Sequence, residues 1–331
     1  MMENRTDVNM ILAGDVGGTK TLLGLFDPRS PRPQPRVVRQ FSTLRYPDLL
    51  ALLKSFADDP EVRGRVPTAA GFGVAGPVLG DTAELTNTPF RIDARAIAQA
   101  FDLPRVRLLN DLEAMAYAVP VLDETELHVI QTGEVQTDGT MALIAAGTGL
   151  GQAILRNING RFLLVPTEAG HADWAARSER DIVVLRALIE RHGRAEVEDV
   201  VSGRGLINLH PVTHEDECPS IGDPADPDAP AKISQAALEG ACRGCMEALD
   251  IFVSAYGAEA GNLALRSVAT GGVFVGGGIA PKILPALTDG RFLRAFQDKG
   301  RFRTLLATIP VKIILNSEAG LLGAAVAARA D

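Results

Sequence analysis

The stretch GDVGGTKT at 14–21 places a carboxylate, two glycines, a hydroxyl and an amine side by side. Gly14, Lys20 and Thr21 fit the phosphate-loop pattern G-x-x-x-x-G-K-[ST], but Thr19 stands where its second glycine belongs. Asp15 closes an apolar run, where a carboxylate costs desolvation unless it is paired or near a cation. Gly17 and Gly18 offer successive amides and Thr19 a hydroxyl, a set able to cup a phosphate. Two uses fit. Asp15 orients the metal of Mg–ATP through its water while the turn holds phosphate, or Asp15 caps a strained hairpin turn.

Other stretches carry similar pairs of readings. GTGLG holds Gly147, Thr148 and Gly149, a second phosphate clamp or an ordinary turn. Gly276, Gly277 and Gly278 leave room for a flat ring or a phosphate, or make a tight strand–helix turn. In LLNDLEA, Asn110 and Asp111 sit where an apolar strand gives way to a helix, the usual place for caps. Asp111 could also take a proton from an attacking hydroxyl, and Asn110 can both donate and accept toward a neighbouring one. In PTEAGHADW, Glu168 and His171 stand three apart, either as loop charges or as groups bridging the hydroxyls of a polyol. Glu198 in EVEDVVSGRG has, by pattern, the look of an ordinary exposed charge.

Two clusters invite a metal. His210, His214 and Cys218 repeat every four residues, but the segment is acidic and proline-rich and shows no fourth ligand, so structural zinc is set aside. Cys242 and Cys245 share one face of a helical pattern and read as small core residues rather than a redox pair or half a metal site. The whole stretch 210–233 reads as a surface excursion.

The elements that must position these groups follow from period and punctuation. MILAGDV and TLLGLFD are strands joined by the glycine turn, and RVVRQFST is a third strand after a proline-rich tip. A phosphate loop of the G-x-x-x-x-G-K type would enter a helix, so this hairpin is a different device. PDLLALLKSFADD carries a helical apolar stripe, AAGFGVAGPV is a buried strand, and RIDARAIAQAF is a short helix capped by Asp93. MALIAAGTGLGQAIL then restarts the strand, glycine turn, strand design, which points to a duplicated two-lobed architecture. SERDIVVLRALIERHG is a helix capped by Ser178, and the run 234–267 is one long helix or two. GGVFVGGGIAPKIL predicts a strand, a turn and a helix with Pro281 in its first turn, and SEAGLLGAAVAARA a small-residue helix.

Composition narrows the class. The 331 residues are 46% hydrophobic and 22% charged, as in globular proteins, and the net charge of −8 opposes a polyanion such as DNA. Three cysteines and no export signal point to a reducing cytoplasm, and the longest charge-free stretch, broken by glycines, does not read as a membrane span.

GDVGGTK, TNTPF, LLNDLEA, GTGLG, TEAGH, VSGRGL, GGVFVGGGIAPK, DKGRF and GLLGAAVA occur in this order from residue 11 to 326, and together they resemble the bacterial glucokinases of the hexokinase and actin-like ATPase superfamily. The resemblance implies an α/β, two-lobed actin-like ATPase (ribonuclease H-like) fold, with lobes 8–112 plus 315–331 and 113–314 and the active site in the interlobe cleft. It implies transfer of the ATP γ-phosphoryl group to the 6-hydroxyl of D-glucose, Mg²⁺ as cofactor and a homodimer. Asp111 would be the base, and Asn110, Glu168, His171 and Glu198 would hold the other sugar hydroxyls. Asp15, Gly17, Gly18, Thr19, Gly147, Thr148 and Gly149 would face the phosphates, with Asp15 toward Mg²⁺ and Gly276, Gly277 and Gly278 near the adenosine. Lys20 is left without a role. Ala169 and Arg204 depart from the family pattern, which leaves a different hexose or an amino sugar as the alternative substrate. The absence of cysteine after Gly170-His171 argues against the zinc-bearing branch of sugar kinases and repressors, and the complete sugar-binding set argues against a non-catalytic ATP-binding regulator.

Overall fold

The computed structural model describes residues 9–329 apart from 30, 87, 89, 215–217, 219 and 224. The chain divides into two compact units, Met1–Asp123 with Asn316–Asp331, and Glu124–Leu315.

The first unit opens with β1 (Met10–Val16), β2 (Lys20–Asp27) and β3 (Gln34–Ser42), an antiparallel meander. Then come α1 (Leu49–Ala57), capped by the Asp48 side chain, and β4 (Pro67–Val74), which pairs parallel to β1. A small sheet of β5 (Val78–Leu79), β6 (Thr82–Glu84) and β7 (Arg91–Asp93) leads to α2 (Ala94–Ala100). Asp93 caps α2 by accepting from the Arg95 and Ala96 amides, as its sequence position predicts. β8 (Val106–Asn110) pairs parallel to β4 and runs straight into α3 (Asp111–Ala118). The sheet order is β3-β2-β1-β4-β8, so β1, β4 and β8 end at one edge, with Val16, Val74 and Asn110 in register. In open α/β sheets that edge is where ligands bind.

The second unit repeats the plan. After β9 (Leu127–Gln131), strands β10 (Met141–Ala146), β11 (Leu150–Ile158) and β12 (Arg161–Thr167) form the meander. α4 (Glu179–His192) starts at the Ser178 cap and stops at Gly193, whose φ of 81° few other residues tolerate. α5 (Gly203–Thr213), α6 (Ala229–Leu238) and α7 (Arg243–Ser267) follow. β13 (Gly272–Gly276) lies parallel to β10, and after α8 (Leu284–Thr288), α9 (Arg291–Gln297) and α10 (Arg303–Thr308), β14 (Val311–Ile314) lies parallel to β13. The order β12-β11-β10-β13-β14-β9 mirrors the first sheet, with β9 added antiparallel at the edge.

α11 (Ala319–Arg329) returns the chain to the first unit. Small residues let it and α3 approach each other and the sheet. A Cβ on Gly323 would lie 1.6 Å from the Ala114 carbonyl oxygen, and one on Gly71 would lie 2.3 Å from that of Ala324. One on Gly73 would strike the Ala114 side chain at 2.6 Å. This packing keeps α3 in the first unit, which therefore runs through Asp123 rather than ending at 112.

The run 234–267, open between one long helix and two, is two helices, broken around Gly240, where φ is +68°. Two sequence expectations change. Pro281 lies in turns between β13 and α8, and Pro285 takes the first helical turn, because Gly277 turns the chain back so that Ile279 donates to the Ala146 carbonyl. The 210–233 stretch is not only surface: His210 is in α5, and Cys218, Ile221, Ala229 and Ile233 belong to the second unit's core.

Candidate active site

In the first unit, the functional candidates collect at the carboxyl edge of β1, β4 and β8. Asp15 sits on β1 opposite Leu22 of β2 and Gly73 of β4. Desolvation, and then the negative charge of Asp111, lift its carboxyl from the ordinary 3.8 to about 6, while Lys20 pulls the other way. The carboxylate rests against the first turn of α11: a Cβ on Gly320 would come within 3.0 Å of Asp15 Oδ2. A larger residue there would crowd the carboxylate, which sits at the helix end that favours negative charge. The turn closes by a 3.0 Å bond from Gly17 N–H to the Lys20 carbonyl, and the Thr43 hydroxyl donates to the Gly17 carbonyl at 2.7 Å. Gly18, Thr19 and Lys20 form the partly to fully exposed tip. Asp15 does not cap this turn by any bond among the described residues.

Asn110 is the N-cap of α3. Its Oδ1 accepts from Glu113 N–H at 2.6 Å, and Glu113 Oε2 accepts from Asn110 N–H at 3.0 Å, a reciprocal capping box. A hydroxyl would therefore meet Asn110 Nδ2. Asp111, the first helical residue, is not needed for that box. Its Oδ1 accepts from its neighbour Leu112 N–H at 2.9 Å, and its carboxyl group is open at its own surface. Crowding by the surrounding protein raises its pKa, and the backbone amides of Leu112 and Asp111 partly offset this. Such a carboxylate is a better proton acceptor than a free one.

Two carboxylates that repel each other, one of them raised to about 6, make a setting that a divalent cation would relieve. Hard cations of this kind take oxygen ligands and keep several waters, so the residues present fit Mg²⁺. Part of TNTPF, residues 87 and 89, lies outside the described residues. Thr88 is described: its methyl group would lie 3.8 Å from a Cβ on Gly18, and its buried hydroxyl has no hydrogen-bond partner among the described residues.

In the second unit, the GTGLG turn and the glycine triplet leave neighbouring parallel strands. Ala145 of β10 is in register with Gly276 of β13. The fully buried Tyr256 of α7 ties these strand ends together: its hydroxyl accepts from Ala146 N–H at 3.2 Å and lies 3.2 Å from the Gly276 carbonyl. Gly277 is a structural necessity, since φ is +86° and a Cβ would stand 2.2 Å from the Ala146 carbonyl oxygen. Gly278 and Gly147 face open space, with nothing within 4 Å of the point a Cβ would occupy. The strand-turn reading of the triplet thus holds at Gly277, and room for a ligand exists at Gly278. Gly203 N–H donates to the Gly147 carbonyl at 2.8 Å, fastening the turn to the start of α5.

Glu198 departs most from its sequence reading. Its side chain is 14% exposed. Oε2 accepts from Leu150 N–H at 2.8 Å and Oε1 from Arg204 Nη2 at 3.0 Å. A Cβ on Gly149 would meet Oε2 at 2.6 Å, so the glycine of the phosphate-type turn makes space for this carboxylate. The Glu198 amide also donates to the Gly170 carbonyl at 2.9 Å, which joins it to the segment bearing Glu168 and His171.

Glu168 and His171 are exposed at either end of one helical turn, with His171 N–H donating to the Glu168 carbonyl at 3.0 Å. His171 Nδ1 lies 2.7 Å from Glu196 Oε2. That bond, and the charges of Glu198, Glu196 and Glu168, raise the imidazole pKa, with desolvation opposing them. The second unit thus brings Glu168, His171 and Glu198 near one another. It adds Glu196, which fixes the ring and leaves Nε2 for a ligand, and Arg204, which orients Glu198. Sequence reading passes over Glu196, although its place two residues before Glu198 is a usable signal.

The family model described as Glucokinase matches residues 12–331. A glucokinase of Nostoc sp. is 38% identical over 340 residues, covering 97% of this chain and 99% of the relative. Among solved structures, a glucokinase from an Antarctic psychrotroph superposes with a TM-score of 0.87 at 28% identity, covering 97% of this chain and 98% of the other. A glucokinase of the ROK family from Streptomyces griseus, in complex with glucose and AMPPNP, superposes with a TM-score of 0.64 at 22% identity, covering 97% and 99%. This last likeness is one of fold. Among the described residues, no helix is long and apolar enough to cross a membrane.

Proposed function

Since the chain belongs to the glucokinase family, we propose that Asp111 is its general base and that Asp15 orients the Mg²⁺ of Mg–ATP. The chain is an ATP-dependent glucokinase, which moves the γ-phosphoryl group of ATP to the 6-hydroxyl of D-glucose. The observation that carries the roles is the pair of raised carboxyls at the carboxyl edge of β1 and β8, Asp15 raised by burial and by the charge of Asp111, and Asp111 raised by burial at the first position of α3 and not spent on its cap.

As O6 attacks phosphorus, the bond from the γ-phosphorus to the β,γ-bridging oxygen breaks and ADP leaves. Asp111 accepts the hydroxyl proton as the O6–P bond forms, late in a loose transition state, so the carboxylate's first duty is to aim the oxygen. Mg²⁺, when bound, would supply charge neutralisation on the phosphates, and Asp15 would be the residue that holds it in place. The amides of Gly18 and Gly149 and the hydroxyls of Thr19 and Thr148 hold phosphate oxygens, Gly17 shapes the turn through its bond to the Lys20 carbonyl, and Gly147 keeps side-chain atoms out of the way. Gly276, Gly277 and Gly278 form the approach for adenosine.

The sugar's remaining hydroxyls fall to Asn110 Nδ2, the Glu168 and Glu198 carboxylates and His171 Nε2. Arg204, the departure from the family pattern, holds Glu198 Oε1 and so fixes which lone pairs are offered. Glu198→Gln is expected to raise the KM for glucose by about ten- to a hundredfold, the scale of one hydrogen bond to a charged group, with a smaller change in kcat. Initial rates across glucose concentrations check this, and an unchanged KM would reduce Glu198 to a scaffold for the GTGLG turn. The homodimer implied by the resemblance belongs to the same proposal, and sedimentation at twice the 35.1 kDa chain mass checks it.

A further inference from the structure

Away from these residues, the second unit gathers its cysteines and two histidines in one place. Cys218 Sγ lies 3.7 Å from Cys242 Sγ and 3.6 Å from Cys245 Sγ. His214 Nε2 lies 3.2 Å from Cys242 Sγ and 3.7 Å from Cys245 Sγ. A tetrahedral zinc with Zn–S near 2.3 Å and Zn–N near 2.0 Å requires S···S edges of about 3.8 Å and N···S edges of about 3.5 Å. Four edges of such a tetrahedron are therefore present in the side-chain positions. The thiols are free, and their separations are far from the ~2.05 Å of a disulfide.

Two further features fit a metal and have no other evident use. His214 Nδ1 lies 2.8 Å from the His210 carbonyl oxygen, so the nitrogen facing that carbonyl carries the hydrogen and Nε2 presents its lone pair to the sulfurs. This is the arrangement by which an outer hydrogen bond orients a ligating imidazole. The second is Gly244, between the two cysteines in the first turn of α7. A Cβ there would stand 2.6 Å from His214 Nε2 and Cε1. Glycine weakens a helix, and here it opens the path by which the imidazole reaches both thiols.

We propose that His214, Cys218, Cys242 and Cys245 form a structural Zn²⁺ site in the second unit. The ion ties the end of α5 and the residue Cys218 to the start of α7, closing the core around Ile221 and Ala229. It needs no open coordination position and takes no part in phosphoryl transfer. His210 stacks on the His214 ring at 3.9 Å with the rings 26° apart, and its buried Nε2 has no partner among the described residues. It stands close enough to be a competing ligand, with the reactive atoms of His210, His214, Cys218 and Cys245 within 4.8 Å of one another. Cys242 is preferred because its sulfur already makes the tetrahedral edges to His214 and Cys218, whereas near-parallel stacked rings aim their in-plane lone pairs side by side. Binding displaces the thiol protons into solvent and changes no oxidation state.

The test uses the full chain, purified under reducing conditions without chelator from zinc-supplemented cells. Elemental analysis is expected to find about one zinc per chain. A mercurial thiol reagent is expected to release it, and titrating Zn²⁺ back into stripped protein is expected to raise the thermal midpoint by several degrees. Cys218→Ser and Cys245→Ser are expected to lose the metal, while His210→Ala keeps it. With Co²⁺ in place of zinc, the thiolate charge-transfer absorption is expected at the strength of three sulfurs and to drop by a third in Cys242→Ser. Wild-type protein that carries no zinc and takes up none on titration would overturn the site, with no reliance on any variant. Loss of metal in His210→Ala with retention in Cys242→Ser would overturn the ligand set.

Discussion

Asp111→Asn is expected to lose about two to four powers of ten in kcat, the range of general acid–base catalysis, while the KM for glucose stays within a few fold. The substitution is close to isosteric. An asparagine oxygen can still accept from Leu112 N–H, and the Asn110–Glu113 capping box does not involve position 111. The helix start is thus preserved, and what disappears is a charged acceptor whose pKa the surrounding protein has raised. An amide can orient the 6-hydroxyl but cannot take its proton. Steady-state rates with saturating ATP and varied glucose separate the two contributions, and a kcat near that of the wild type would leave Asp111 with a purely local role at the helix start.

The second large effect concerns Asp15→Asn, expected to lose about two to three powers of ten in turnover, on the scale of removing one preorganised electrostatic group, and yet to be more stable without ligands. The carboxyl of Asp15 titrates at about 6 in the folded chain against 3.8 ordinarily, which means folding penalises its ionised form. Below about pH 4 it is protonated in both folded and unfolded chains, and wild type has no handicap. As pH rises toward 6, the unfolded chain ionises first and stability falls. Above 6 both states are ionised and the loss is constant, on the order of 2–3 kcal/mol. Asparagine never ionises. The difference in denaturation midpoint between variant and wild type should therefore open between pH 4 and 6 and level off above. Added Mg–ATP should narrow it by stabilising wild type more than the variant, which lacks the metal-orienting carboxylate. A variant no more stable than wild type at pH 8 would contradict the strained carboxylate.

What the sequence made legible were features whose partners lie nearby in the chain. The hairpin of β1 and β2 shows in strand period around the glycines, and that alone separates GDVGGTKT from a loop that enters a helix. The repeat of that design at MALIAAGTGLGQAIL foretold the second meander. Asn110 and Asp111 were visible at a strand–helix junction, although only the structure shows that capping consumes Asn110 Oδ1 and spares Asp111. Glu198 was illegible by pattern because its environment comes from elsewhere: the Leu150 amide, the bare Gly149 and the Arg204 guanidinium. Tyr256 lies mid-helix in an apolar run, and nothing local signals that its hydroxyl joins the ends of β10 and β13. The same limit applied to the cysteines. His214 and Cys218 show no fourth ligand nearby, and Cys242 and Cys245 look like one helix face, because the chain between Cys218 and Cys242 has to fold back before the two groups meet.

The most direct test of the central claim is the initial rate of sugar phosphate formation with Mg–ATP across a panel of hexoses and amino sugars, with ADP release followed in parallel. The expected result is glucose 6-phosphate formed from glucose with the highest kcat/KM of the panel, one ADP per sugar phosphate, and both signals lost together in Asp111→Asn. ATP hydrolysis indifferent to sugar, or a different hexose preferred over glucose, would contradict it.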